Sequence, residues 1–237
     1  MNKITFQEVT ELDYSGNEAY NALRTNIQFC GDDKKVIAFT SSYPDEGKST
    51  LVFRLSQAMA RAGKKVLLID ADIRKSVLAN RYKADKQVKG LTEYLSGQCK
   101  IDEIVYETNF EGMDVVFTGP IAPNPSELLG GEMMGELLKL ARNEYEYTFI
   151  DCPPLGAVID AAVIAQRCDG AIIVIETENV SYKIVDRVKK QLEQSKVKIL
   201  GAVLNKIDME TKSKYGGYYG QYGYGHYGEY GHHDTKK

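Results

Sequence analysis

Long apolar runs are missing from this chain. The longest uninterrupted aliphatic stretch is AIIVI at 171–175, far short of the ~20 residues that span a bilayer. The opening MNKITFQEVTELDYSG has no apolar signal-peptide core. Both absences point to a cytoplasmic protein whose membrane association must come from a partner. Cysteine is sparse: Cys30, Cys99, Cys152 and Cys168 stand far apart, with no CxxC and no histidine nearby. That argues against a structural zinc or iron–sulfur site within one chain and leaves reduced thiols in or near a core. The three histidines, His226, His232 and His233, fall late in the sequence with no fixed scaffold around them. Strong charge of one sign is also missing, and a net charge of −3 is too mild to make nucleic acid or a membrane surface the main partner.

What is present is the composition of a folded domain, 43% hydrophobic and 27% charged, in a length that suits one large α/β domain. Strands are expected at 35–41, 65–70, 112–119, 146–151, 170–176 and 197–205, with helices at 48–61, about 126–144, 158–167 and 181–195. KVLLID at 65–70 is apolar throughout, as a strand of a parallel sheet covered on both faces should be. The alternation predicts βαβ units and a doubly wound, mostly parallel sheet with helices on both faces. Residues 1–34 read as a helical lead-in, with 18–29 forming a helix that places Tyr20, Leu23 and Ile27 on one face. From Lys214 the periodicity gives way to KYGGYYGQYGYGHYGEYG, which holds seven of the chain's sixteen tyrosines and seven of its twenty-one glycines between Tyr215 and Gly231. We expect 211–237 to be a disordered tail.

Between the first strand and the first long helix lies TSSYPDEGKST at 40–50. It fits the phosphate-binding pattern GxxxxGK[ST] except that Ser42 replaces the first glycine. Such a loop wraps phosphates in backbone N–H groups, and the helix behind it points its positive end at them. Gly47 lets the backbone come close, Lys48 is placed for the β- and γ-phosphates, and the Ser49 hydroxyl is placed for Mg²⁺. Two acidic strand ends accompany the loop. VLLIDADIR at 66–74 puts Asp70 and Asp72 on one side of an extended chain by the two-residue period. FIDCPP at 149–154 ends another apolar strand in Asp151, as the acid of a Walker B motif does. Carboxylates at buried strand ends need a partner, and Mg²⁺ supplies one. The fold class expected is therefore a P-loop NTPase-like α/β domain.

SSYPDEGKST, VLLIDADIR and FIDCPP, in that order and ahead of a tyrosine-rich tail, resemble the Walker A, A′ and B motifs of the bacterial tyrosine kinases. GLTEYLSG (90–97) and PNPSELL (123–129) extend the resemblance over nearly the whole chain. It implies ATP and Mg²⁺ as cofactors and a nucleotide loop made of Ser42, Pro44, Asp45, Glu46, Gly47, Lys48, Ser49 and Thr50. Lys48, Asp70, Asp72 and Asp151 become the catalytic set, with Ser49 and the three aspartates organising the metal. Asp70 is the first choice to accept the phenolic proton and Asp72 the second. Arg74 either steadies phosphate charge or pairs with a carboxylate, and Asn205 lies near the base. The implied phosphoacceptors are Tyr215, Tyr218, Tyr219, Tyr222, Tyr224, Tyr227 and Tyr230.

The family's ring-forming ExxRxxR corresponds here to Glu18, Asn21 and Arg24, so one charged contact of that interface is replaced by an amide. The implied organisation is an oligomerisation segment at 1–34, a kinase domain at 35–210 and an autophosphorylation tail at 211–237. The implied partners are a transmembrane activator that regulates polysaccharide chain length, a tyrosine phosphatase, other protein substrates and further copies of the chain in a ring. Nucleic acid is not among them. The kinase would be cytoplasmic, recruited to the inner face of the membrane, and would control capsule or exopolysaccharide production.

Four other readings compete, one of them an iron–sulfur carrier ATPase, which would need a CxxC that the sequence does not have. A partitioning or division-site ATPase would carry KGGxGK[ST], but Tyr43 stands where that motif has its first lysine. A GTPase reading rests on Asn205, Lys206 and Asp208 as NKxD, without a DxxG switch. A non-enzymatic reading makes the chain an ATP-sensing scaffold with an associative Gly-Tyr tail.

Overall fold

Side-chain alternation decides how the central strands are buried. In VIAFTS at Val36–Ser41, Val36 and Ala38 enter one hydrophobic layer while Ile37 and Phe39 enter the other. The same division recurs at Val66–Asp70, where Leu67 and Ile69 face the first layer and Val66 and Leu68 the second. A strand apolar on both faces belongs inside a sheet covered twice.

The structure, a computed structural model, describes residues 2–78, 82 and 88–207. The tail tyrosines, the three histidines and Asp208 lie outside the described residues. The elements run β1 (Asn2–Lys3), α1 (Tyr14–Gln28), β2 (Val36–Ser41), α2 (Lys48–Arg61), β3 (Val66–Asp70), α3 (Leu91–Leu95), β4 (Tyr106–Glu107) and β5 (Met113–Val116). They continue with α4 (Pro125–Gly130), α5 (Glu132–Glu144), β6 (Tyr147–Asp151), α6 (Asp160–Ala165), β7 (Gly170–Glu176), α7 (Tyr182–Gln194) and β8 (Ile199–Asn205). The described strands form one sheet in the order β1-β4-β5-β3-β6-β2-β7-β8. Its pairings are parallel except β4 with β5.

Helices α1 and α2 cover one face through Ile27, Leu51, Phe53 and Met59. Helices α5, α6 and α7 cover the other through Leu137, Leu138, Ala161, Ile164, Val188 and Leu192. Each of the larger side chains contributes about 1.5–3 kcal/mol relative to exposure, and Ala161 less. Strand β2 sits between β6 and β7, so the chain leaves it toward β3 on one side and later returns to β7 on the other. The crevice at the carboxyl ends of the strands beside such a switch point is where open α/β sheets bind ligands.

The differences from expectation are local. Residues 1–34 are not helical throughout: β1 pairs with β4, and Phe6 packs edge-on against Phe53 at 5.1 Å. Two strand residues and one buried ring are too short a pattern to stand out as periodicity. Helix α1 starts at Tyr14, ahead of residue 18, because the Asp13 carboxylate accepts the Gly16 N–H at 2.7 Å. The single helix expected over 126–144 is two, divided at Gly131, whose backbone is extended. GLTEYLSG contributes α3, closed at its start by the Gly90 N–H donating to Glu93 Oε2 at 2.6 Å. None of the described helices is long and apolar enough to cross a membrane.

Candidate active site

The loop at 42–47 joins the buried β2 to the buried α2, so both ends are held by the core. Glu46, only 1% exposed, lies inside the loop. Its carboxylate accepts the Tyr43 N–H at 2.5 Å and the Glu176 N–H at 3.0 Å, tying the loop to the end of β7. Asn205, at the end of β8, donates its amide to the Glu46 carbonyl at 2.8 Å, and Lys206 donates to the Asp45 carbonyl at 2.7 Å. Asp45 holds a left-handed backbone at φ 65 and Gly47 another at φ 81. At Gly47 a Cβ would lie 2.3 Å from the Asn205 amide nitrogen, so the position excludes a side chain on two counts. Gly156 approaches the far side of the loop, where a Cβ would meet the Ser42 carbonyl at 2.1 Å. Pro44 and Tyr43 are exposed, and Thr50 sits in the first turn of α2.

Lys48 and Ser49 open α2, and no side chain caps that helix start. Its first-turn N–H groups carry the positive end of the helix dipole. Lys48 Nζ pairs with Asp151 Oδ1, with both side chains almost wholly buried, and Ser49 Oγ lies 3.4 Å from the same nitrogen. Burial opposes the lysine's charge, but the adjoining Asp151 carboxylate outweighs it and holds the Lys48 pKa above the ordinary value. Asp70 and Asp151 are register partners on neighbouring strands, which sit ~4.8 Å apart. Burial, and then repulsion from Asp151, push the Asp70 pKa up to about 7, against a hydrogen bond from Ser76 at 2.5 Å and the charge of Lys48.

Asp72 departs from its expected place. Strand β3 ends at Asp70, so the two acids do not share one extended strand. Asp72 instead opens a turn: its N–H donates to Asp70 Oδ1 at 3.3 Å and its own Oδ1 accepts the Lys75 N–H at 3.0 Å. Among the described residues no three His, Cys, Asp or Glu side chains converge on one metal position. Ser49, Asp70, Asp72 and Asp151 therefore do not make a closed cage, and a metal here needs phosphate oxygens and water as further ligands, the usual state of Mg²⁺. The loop does fit a nucleotide. Ser42 Oγ is buried without a hydrogen-bond partner, and the helix start is uncapped.

The two readings of Arg74 separate clearly. Its guanidinium grips Asp160 through two bonds, 2.6 and 3.0 Å, and reaches Ser126 Oγ at 3.2 Å. Asp160 carries no motif of its own, Ser126 lies within PNPSELL without a role assigned to it there, and a partner 86 residues away in sequence leaves no local signal. Asn205 is engaged with the loop backbone, as described above. On α1, Asn21 bridges Glu18 Oε1 at 3.0 Å and Arg24 Nη1 at 3.3 Å, giving a polar ladder along the helix surface.

Sheet order and loop together define a P-loop α/β protein, and comparison narrows the class. The family described as AAA domain matches residues 34–205. Tyrosine-protein kinase CpsD of Streptococcus agalactiae is 44% identical over 201 residues, spanning 85% of this chain and 87% of that protein. The kinase domain of Escherichia coli tyrosine kinase ETK superposes with a TM-score of 0.77 at 33% identity, covering 82% of this chain and 78% of that one. The septum site-determining protein MinD from Pyrococcus horikoshii OT3, solved with Mg-ADP, gives a TM-score of 0.63 at 25% identity over 76% of each chain. This chain belongs to the bacterial tyrosine kinases, and its enzyme class is protein-tyrosine kinase.

Proposed function

We propose that the chain transfers the γ-phosphoryl group of ATP to the tyrosines at 215–230 of a neighbouring copy, and that this controls capsule or exopolysaccharide production. The observation that carries the reading is the pairing of buried Lys48 with Asp151 beside Asp70, at the carboxyl edge of the sheet behind an uncapped helix start. Phosphoryl transfer passes through a loose transition state, so the protein must mainly position groups and neutralise charge. The N–H groups at the start of α2 and the Lys48 ammonium would receive the phosphates, and Ser49, Asp72 and Asp151 would hold the metal. Mg²⁺, when bound, neutralises charge on the phosphate oxygens. Asp70 accepts the phenolic proton, a role supported by its place beside Asp151 and by the burial that raises its pKa above the ordinary carboxylate value. Asp72, two residues further on, is the second choice for that role.

In this reading 1–34 assembles copies into a ring through the Glu18, Asn21 and Arg24 face, 35–210 is the kinase, and 211–237 is the acceptor. The activator is the cytoplasmic end of a membrane protein that governs polysaccharide chain length, and a tyrosine phosphatase reverses the mark. The enzyme works in the cytoplasm at the inner face of the membrane. Incubation with labelled ATP, Mg²⁺ and the activator should place label on tyrosines of 215–230, read by mass spectrometry. Label confined to other residues, or none with the activator present, would refute the assignment.

A further inference from the structure

The segment leaving β3 carries Asp72 without regular secondary structure to hold it, yet it is fastened at several points. Ser76 Oγ donates to Asp70 Oδ2 at 2.5 Å and the Asp72 N–H donates to Asp70 Oδ1 at 3.3 Å. The Ala71 N–H donates to the Asp151 carbonyl at 2.9 Å and Ile73 is buried in the core, and a further fastening is Arg74. Its Nε donates to Asp160 Oδ2 at 2.6 Å and its Nη2 to Asp160 Oδ1 at 3.0 Å. Ser126 Oγ closes the triangle, donating to Asp160 Oδ1 at 2.6 Å and accepting from Arg74 Nη2 at 3.2 Å. Asp160 is fully buried at the start of α6, while the Arg74 side chain is 38% exposed. A buried carboxylate in an ion pair adds little net stability, because its desolvation offsets the attraction. What a two-point fork between Arg and a carboxylate does supply is fixed geometry.

We propose that Asp160 is a positioning residue of the kinase, fixing through Arg74 the backbone that carries Asp72 and so the placement of that carboxylate beside Asp70. The inference rests on the reading of Asp70 and Asp72 as phosphoryl-transfer machinery. Asp160 acts at one remove. Ser126 orients the Asp160 carboxylate, the carboxylate orients the guanidinium, and the guanidinium anchors the turn at 72–75. Misplacing a reacting or metal-organising group by about 1 Å lowers turnover by on the order of 10²-fold, whereas nucleotide affinity is set by the separate loop at 42–50. The signature of lost positioning is therefore a lower kcat at constant KM for ATP.

The test uses the full chain with Asp160→Asn, Arg74→Ala, the double variant and Ser126→Ala. In nucleotide-free protein, hydrogen exchange at the amides of 72–76 should quicken by about tenfold or more in Asp160→Asn, while peptides from α2 keep their rates. With an activator present, kcat should fall about 10–100-fold with KM for ATP within about twofold, and the double variant should lose no more than the worse single one. Ser126→Ala, which keeps the ion pair, should show the same local exchange effect at smaller size. Unchanged exchange at 72–76, uniform acceleration across the sheet, or losses that multiply in the double variant would each overturn the proposal. If wild-type protein failed to phosphorylate tyrosine, the functional reading would fall, while the exchange data would still decide the positioning role.

Discussion

At the scale of the residue, Asp70 concentrates the tension between folding and chemistry. An unfolded aspartate titrates near 3.9, whereas burial and the neighbouring Asp151 raise Asp70 in the nucleotide-free fold to about 7. A carboxyl raised on folding is most favourable to the native state below the unfolded pKa, and that advantage is lost as pH rises through the folded value. Replacing it with a neutral isostere should therefore stabilise the empty protein at alkaline pH. Asp70→Asn is expected to raise the apo Tm at pH 8 by about 2–4 °C, on the order of 1 kcal/mol, with the gap narrowing toward pH 5. Tyrosine phosphorylation should drop by about 10²-fold or more. A variant less stable than wild type at pH 8 would contradict the electrostatic account. Gly47 gives a second residue-level case. Gly47→Ala should cost about 1–2 kcal/mol from the left-handed backbone and more from the 2.3 Å approach of Asn205. Adding Asn205→Ala should recover the second part only, which thermal melts of the two variants would show.

At the scale of the element, the loop at 42–47 and helix α2 work as one unit braced from behind. The brace is Glu46, with one carboxylate oxygen on the Tyr43 N–H and the other on the Glu176 N–H. Glu46→Gln replaces one acceptor by a donor facing an N–H, leaving a buried group unpaired at about 1–3 kcal/mol. Calorimetry should record a Tm lower by several degrees, and a fluorescent nucleotide should bind more weakly. Retention of both values would show that the brace is not needed. Elements differ in how much of them the sequence reveals. Strand β2, the loop and α2 are legible because the residues that matter are contiguous and switch from a period of two to a helical pattern at GKS. The Lys48–Arg61 bounds of α2 coincide with expectation. The break between α4 and α5 was hidden because the helical pattern runs on either side of Gly131. The pairing of Asp160 with Ser126 and Arg74 is not legible, even though Ser126 falls within the quoted PNPSELL stretch, because it exists only after α4, α6 and the β3 exit come together. The strand end at Asp70 is legible in KVLLID, but the two-residue period that puts Asp72 on the same side assumes the chain stays extended beyond it, and it turns there instead.

At the scale of the whole molecule, the described fold supplies a nucleotide-type site, and the proposed function makes the tyrosines at 215–230 its acceptors. Phosphorylation of all seven would add about −10 to −14 charges, against a starting net charge of −3. Repulsion of that size between neighbouring copies should loosen an assembly. Size-exclusion chromatography with light scattering is expected to give a smaller mass for the phosphorylated form. An unchanged mass would separate phosphorylation from assembly. Changing one of the seven tyrosines to phenylalanine should alter little, whereas changing all seven should abolish the shift.

The central claim is that this site transfers phosphate to the tyrosines of another copy. Lys48→Met removes the ammonium that pairs with Asp151 and is expected to inactivate the chain while leaving its tyrosines in place. Mixing that variant with an active protein truncated after residue 210, with activator, Mg²⁺ and labelled ATP, isolates transfer between copies. The account predicts label on the tyrosines at 215–230 of the Lys48→Met chain. A Lys48→Met chain that stays unlabelled beside an active full-length control would contradict it.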